Sequence, residues 1–203
     1  MSRNAMLVEP TILEGNLVVL EPLRMKHLPQ LAEAAAHDEV WTYLDEPTPN
    51  SEAPVASLIT EALEEEAQGA RLPFAIIHSP SGEAIGSISL IDIQRKHRQV
   101  EIGWAWITPN HWRTGVAREA AYLLMCHAFE KLGAIRVAFK TDSRNARSQQ
   151  TITRLGATRE GVLRNHRILR DGHIRHSIYY SVIREEWSKV RDRFRPCHRA
   201  ACS

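Results

Sequence analysis

The most restrictive feature of this chain is a junction. An alternating apolar stretch from Val100 to Ile107 runs into Trp112-Arg-Thr-Gly-Val-Ala117, after which a helical pattern continues to Lys131. Such a sequence folds as a strand feeding a glycine turn at a helix N-terminus. The N–H groups there lack intrahelical partners and the helix dipole adds positive potential, so an anion can be held without a cationic side chain. A tight turn needs glycine for steric reasons alone, so the flanking elements carry the inference that the ligand is a phosphorylated cofactor. No lysine follows the glycine as in G-x-x-x-x-G-K-[ST], and there is no three-glycine fingerprint with an acidic residue about 20 positions on, so nucleoside triphosphatase and nicotinamide chemistry recede.

Around this junction the pattern predicts alternating elements. Leu17 to Leu20 reads as a strand and Met25 to Glu39 as a helix, with Leu28, Leu31, Ala32 and Ala35 at helical spacing. Ser51 is placed to cap a second helix that ends at Gly69. Pro73 to His78, Ala84 to Ile93 and Gln99 to Ile107 read as an antiparallel meander. Ile135 to Lys140 is a further strand, and Asn145 caps a helix stopped by Gly156. Thr158 to Leu169 and Ile174 to Ile183 flank an Asp-Gly hairpin turn, with a short helix beginning near Glu185. The expected organisation is an N-terminal extension at 1–14, one domain at 15–190 and a frayed basic tail at 191–203.

At 203 residues, 43% hydrophobic and 25% charged, the chain can bury one full core. A net charge of +2 argues against nucleic acid, whose binders concentrate basic charge in a stripe. Arginines do recur at 164, 167, 170 and 175; they read as a solvated hairpin face or as a guide to acidic substrates. No apolar run approaches the roughly 20 residues that span a bilayer, and no secretory signal pattern opens the chain, so a cytoplasmic protein without membrane attachment is expected. Cys126 reads as an inert buried thiol within a helix. Cys197, His198 and Cys202 make a poor zinc set, so no metal is expected.

In order and in detail, these elements resemble the GCN5-related N-acetyltransferases (GNAT), in particular the branch that acetylates the N-termini of ribosomal proteins. Glu101-Ile-Gly-Trp looks like the family's fourth strand, Trp112-x-x-Gly-x-Ala117 like its coenzyme A pyrophosphate loop, and Asn145-x-x-Ser148 with Leu155-Gly-Ala157 like the helix that follows. The resemblance spans roughly Gly15 to Trp187. Trp112 stands where many members have glutamine or arginine, and Ala157 replaces a larger residue; neither change removes a backbone donor.

The resemblance implies an α/β (α+β) acyl-CoA N-acyltransferase fold, a mixed, mostly antiparallel sheet of about seven strands with helices on both faces. It implies acetyl-CoA as co-substrate, held by Trp112, Arg113, Thr114, Gly115, Val116 and Ala117 at its diphosphate and by backbone groups near Trp106 and Ile107 along its pantetheine arm. A fixed donor aimed at the thioester carbonyl would stabilise a tetrahedral oxyanion. Asn145 would cap its helix and bond pantetheine amides, and Ser148 would serve the leaving thiolate. Glu101 is the candidate base, directly or through water, with an exposed carboxylate paired to arginine as the plain alternative. Trp41 and Tyr43 would build the acceptor wall or pack in the core. His111 and His173 could titrate near neutrality.

The acceptor is a primary amine. An α-amine with pKa near 8 is about one-tenth neutral at pH 7, whereas lysine near 10.4 is neutral in roughly one molecule per few thousand. A protein N-terminus is therefore favoured, with small-molecule amines and a non-catalytic acyl-CoA-binding module as the alternatives. Pairing of C-terminal strands across family dimers leaves a homodimer open.

Overall fold

A computed structural model describes residues 6–194. Eight strands form one sheet in the order β1-β2-β3-β4-β5-β6-β8-β7. They are β1 (Leu13–Glu14), β2 (Val18–Pro22), β3 (Leu72–His78), β4 (Glu83–Gln94), β5 (Gln99–Ile107), β6 (Arg136–Asp142), β7 (Thr158–Ile168) and β8 (Ile174–Ile183). The sheet has one strand more than expected because β1, a two-residue strand pairing Leu13 with Leu20, is too short for alternation to register. All neighbouring pairs are antiparallel except β5 with β6.

The period-2 pattern places alternate side chains on opposite faces, and each face has its own core. In β3, Phe74 and Ile76 join the larger cluster while Ala75, between them, joins the smaller. The smaller core is covered by α1 (Leu28–Ala35), α2 (Asp38–Trp41) and α3 (Glu52–Ala67). On the opposite face lie α4 (Val116–Cys126), α5 (Ala146–Arg154) and α6 (Arg184–Phe194). Helix α4 is almost wholly buried, and Tyr122 on it stacks on Phe194 of α6 with ring centroids 4.6 Å apart.

Several boundaries differ from the sequence reading. The helix expected over Met25 to Glu39 is a 3-10 turn (Met25–His27), α1 and α2, with a break where His37 is extended. The helix expected to reach Lys131 ends as α4 at Cys126 and continues as a π-turn, His127–Lys131, in which the Leu132 N–H reaches back to the His127 carbonyl. Ser51 holds the N-cap position of α3 without a capping side-chain bond; its hydroxyl lies 3.5 Å from Asn50 Oδ1 instead. Cys126 is buried at the C-terminal end of α4. Cys197, His198 and Cys202 lie outside the described residues, as does most of the expected tail. Among the described residues no helix is long and apolar enough to cross a membrane.

Candidate active site

Strands β5 and β6 run side by side only from Gln99 opposite Arg136 to Ile102 opposite Phe139. Beyond that point β5 continues to Ile107 and β6 to Asp142 without pairing, so the sheet opens into a V. A bulge sets the divergence. On the β4 side, Ser87 faces Trp106 and Ser89 faces Gly103, so Trp104 and Ala105 together oppose the single residue Ile88. Trp104 takes φ 49°, which bends β5 away from its neighbour. The guanidinium of Arg71 lies 5.0 Å from the Trp104 ring centroid and donates to Ser89 Oγ at 2.9 Å, clamping the bulge in place. Gly86 allows the approach of the bent strand: a Cβ there would sit 2.1 Å from the Trp106 carbonyl oxygen.

The cleft between the diverging strands has two chemically distinct ends. One is the junction first read from sequence. Gly115 takes φ 99° and occupies the N-cap of α4, with no side-chain capping bond, and Arg113 takes φ 65° just before it. Main-chain N–H groups at the start of α4 are thus left for an anion. Two cations supplement them. Arg113 and Arg147 both line the cleft, and the Arg147 guanidinium lies 3.3 Å over the Trp112 ring. Burial, together with the charge of Arg113, makes the Arg147 cation less favourable than usual despite an opposing contribution from Tyr43. The Trp112 indole N–H donates to the Ile107 carbonyl at 2.8 Å, joining this end to the open edge of β5. These residues suit a diphosphate with an attached arm running along β5, as in acetyl-CoA.

Across from β5, Asn145 and Ser148 line the cleft from the start of α5. Asn145 Oδ1 accepts the Ser148 N–H at 3.0 Å and so caps α5. The Ser148 hydroxyl has no hydrogen-bond partner among the described residues. Trp106, Ile107, Trp112, Arg113 and Ala117 also reach the cleft, whereas Val116 turns into the core and the Thr114 hydroxyl donates to the His111 carbonyl.

The opposite end is polar and built from β6, β8 and the segment after α2. Tyr43, Lys140, Asp142 and Arg175 line it. Trp41 does not: it is buried, its indole N–H donates to the Ala35 carbonyl at 2.7 Å, and its ring supports Trp106 at 5.5 Å. Glu101 is buried beneath the cleft wall, with its carboxylate 3.3 Å from Lys140 Nζ. Asp142 accepts from Arg144 through both carboxylate oxygens and from the Arg144 backbone N–H. Burial raises the pKa of this carboxyl, but the Arg144 bonds outweigh it and hold the group below the usual aspartate range. The β7–β8 hairpin is tied to the segment after α2, where the Arg170 N–H donates to Asp45 Oδ1 at 2.8 Å. Arg71, Gly86, Lys140, Asp142 and Arg147 carry no local motif, so sequence reading had no signal for them. His111 lies outside this wall; its ring packs 4.4 Å from His78, and burial followed by the His78 charge lowers its pKa.

Comparison with known proteins agrees with this architecture. Residues 18–158 match the acetyltransferase (GNAT) domain family. An uncharacterized N-acetyltransferase of Bacillus subtilis, YoaA, is 30% identical over 157 residues, covering 76% of this chain and 87% of the relative. The crystal structure of a GCN5-related N-acetyltransferase from Brucella melitensis superposes with a TM-score of 0.87 at 29% identity, over 93% of this chain and 86% of that one. The fold of Mycobacterium smegmatis RimJ, solved in complex with CoA-disulfide, is similar at a TM-score of 0.79 and 21% identity, over 91% and 93% of the two chains. The V-shaped opening between β5 and β6, the anion-receptive start of α4 and these matches together establish that the chain belongs to the GCN5-related N-acetyltransferase family, enzymes that use acetyl-CoA as co-substrate.

Proposed function

We propose that this N-acetyltransferase acts on the α-amine of a protein N-terminus by direct attack on the thioester. The observation that carries this reading is the two-ended cleft, which leads from the start of α4, past the open edge of β5, to a polar recess between Tyr43 and Arg175. Acetyl-CoA supplies the activated acetyl group when bound. Arg113, Arg147 and the N–H groups after Gly115 hold its diphosphate, and Asn145 orients the arm. Backbone donors near Trp106 and Ile107 polarise the carbonyl. Holding amine and thioester in one cleft provides much of the acceleration by removing orientational freedom in advance.

Ser148 donates a hydrogen bond that stabilises the sulfur as the thiolate departs, and the thiolate then takes its proton from water. Lys140 and Arg175 at the acceptor end disfavour an ammonium beside them, which keeps the attacking amine neutral. The amine proton leaves through water toward Glu101, behind Lys140. Similarity to a putative ribosomal N-acetyltransferase of Bacillus subtilis, YdaF, 32% identical over 106 residues that cover 52% of this chain and 57% of the relative, supports a protein acceptor over a small amine. The homodimer implied by family resemblance has a fitting surface in β7, the terminal strand of the sheet, where Val162, Leu163 and Ile168 are exposed.

The test follows release of coenzyme A thiol with peptides bearing a free N-terminus, the same peptides blocked at the α-amine but carrying lysine, and small amines. Turnover confined to free N-termini is expected. Turnover of blocked lysine peptides or small amines alone would overturn the acceptor assignment.

A further inference from the structure

Of the hairpin arginines, 164, 167 and 170 are exposed, while Arg175 turns inward and lines the acceptor end of the cleft. It lies on β8 two residues before Ser177, whose register partner is Asp142, so the alternation of the strand places Arg175 on the same sheet face as Asp142, Lys140 and Glu101. The two carboxylates of this face whose fields reach Arg175 are both engaged. Asp142 is held by Arg144 at 2.9 Å and Glu101 by Lys140 at 3.3 Å. Arg175 forms no ion pair or side-chain hydrogen bond with any described residue, and its Nε is buried without a partner.

An arginine fork half withdrawn from water and left without an acid is an uncompensated charge. Burial lowers the Arg175 pKa more than the fields of Asp142 and Glu101 raise it, and Arg167 lowers it further. Such a group gains most from a carboxylate that arrives with the ligand, since the planar fork matches a carboxylate through two parallel bonds.

We propose that Arg175 is a specificity-determining residue that reads a carboxylate carried by the acceptor close to its reacting amine, so that acidic N-termini are preferred. This rests on the acceptor being a protein N-terminus, as proposed above. The same charge selects against polycationic acceptors such as polyamines, because a cation placed beside Arg175 and Lys140 meets repulsion in a site shielded from solvent.

The test uses free N-terminal peptides that differ only by Asp, Asn or Lys at the second or third position. Binding is followed by fluorescence anisotropy in the presence of coenzyme A, and turnover by thiol release. The wild type is expected to bind the better-placed Asp peptide about tenfold more tightly than its Asn counterpart. Arg175→Gln should make the two equal while acetyl-CoA affinity holds, which also reports that the variant is folded. Arg175→Lys, keeping charge but not the fork, should fall between. Equal affinity of the wild type for Asp and Asn at both positions overturns the proposal, as does an Arg175→Gln variant that keeps the preference. An intact binding preference without turnover of any peptide supports the role of Arg175 and sinks the N-terminal acceptor reading instead.

Discussion

The indole N–H of Trp112 donates a 2.8 Å hydrogen bond to the carbonyl of Ile107, linking the turn before α4 to the end of the diverging strand β5. One side chain thereby fixes the start of α4 relative to the strand proposed to align the thioester. The face of the same ring carries the Arg147 guanidinium. Trp112→Phe keeps the stacking surface but leaves the Ile107 carbonyl unpaired. Acetyl-CoA affinity measured by calorimetry should fall about fivefold, the equivalent of about 1 kcal/mol, with a smaller change in thermal stability.

The close approach of β4 to the bent part of β5 makes Gly86 indispensable. A methyl group there would overlap the Trp106 carbonyl oxygen and press on Ile107 Cα, 2.8 Å away. Gly86→Ala should therefore cost about 3 kcal/mol of stability. Any folded fraction should show reduced kcat, because the displaced residues are those proposed to polarise the thioester. Urea denaturation alongside thiol-release kinetics checks both effects.

Glu119, in the first turn of α4, has a structural task that its sequence position conceals. From α4 its carboxylate accepts the backbone N–H groups of Asn16, Leu17 and Val18 at 3.0, 2.6 and 2.8 Å, fastening the entry to β2. Glu119→Ala strands these donors and should lower stability by at least about 3 kcal/mol, or about 10 °C in melting temperature for a domain of this size. Differential scanning fluorimetry measures it.

Acid stability should depend on Asp142. Its folded pKa lies below the unfolded value of 3.8 because the Arg144 bonds outweigh burial, so the unfolded chain binds the proton more readily. The contribution to stability is complete above about pH 4 and is lost as pH falls through 3.8 toward the folded value. Asp142→Asn should lower stability at neutral pH and flatten the acid limb, seen by denaturation at pH 3, 5 and 7.

Glu101 and the acceptor amine can be separated by pH. If the buried carboxylate takes the amine proton through water, Glu101→Gln should reduce kcat/KM about a hundredfold at pH 7. The deficit should shrink as pH passes the α-amine pKa near 8, where neutral amine is abundant. A deficit constant from pH 6.5 to 9 would assign Glu101 a purely structural role beside Lys140.

Where a signal is local, the chain declared it. Bounds of Gln99–Ile107 for β5 and Ile174–Ile183 for β8 follow from alternation alone, and the Asn145 cap is made as its position indicates. The start of α4 was legible because Gly115 must take a positive φ there. The two-residue β1, the break between α1 and α2 and the π-turn after Cys126 depend on packing rather than on period, and these were missed. Trp41 and Tyr43 show the same limit within two residues of each other: both are aromatic, yet one is buried behind Trp106 and the other lines the cleft.

The sequence by itself determined the order of the longer strands and helices, the glycine turn before α4 and the family, since periodicity, turn chemistry and motif spacing act over a few neighbouring residues. Only the tertiary structure decided that β5 and β6 part after Ile102 and Phe139, that Glu101 turns to Lys140, and that Arg175 is left without an acid. Those outcomes depend on which distant side chains compete for the same buried charge and space, and no local pattern encodes that competition.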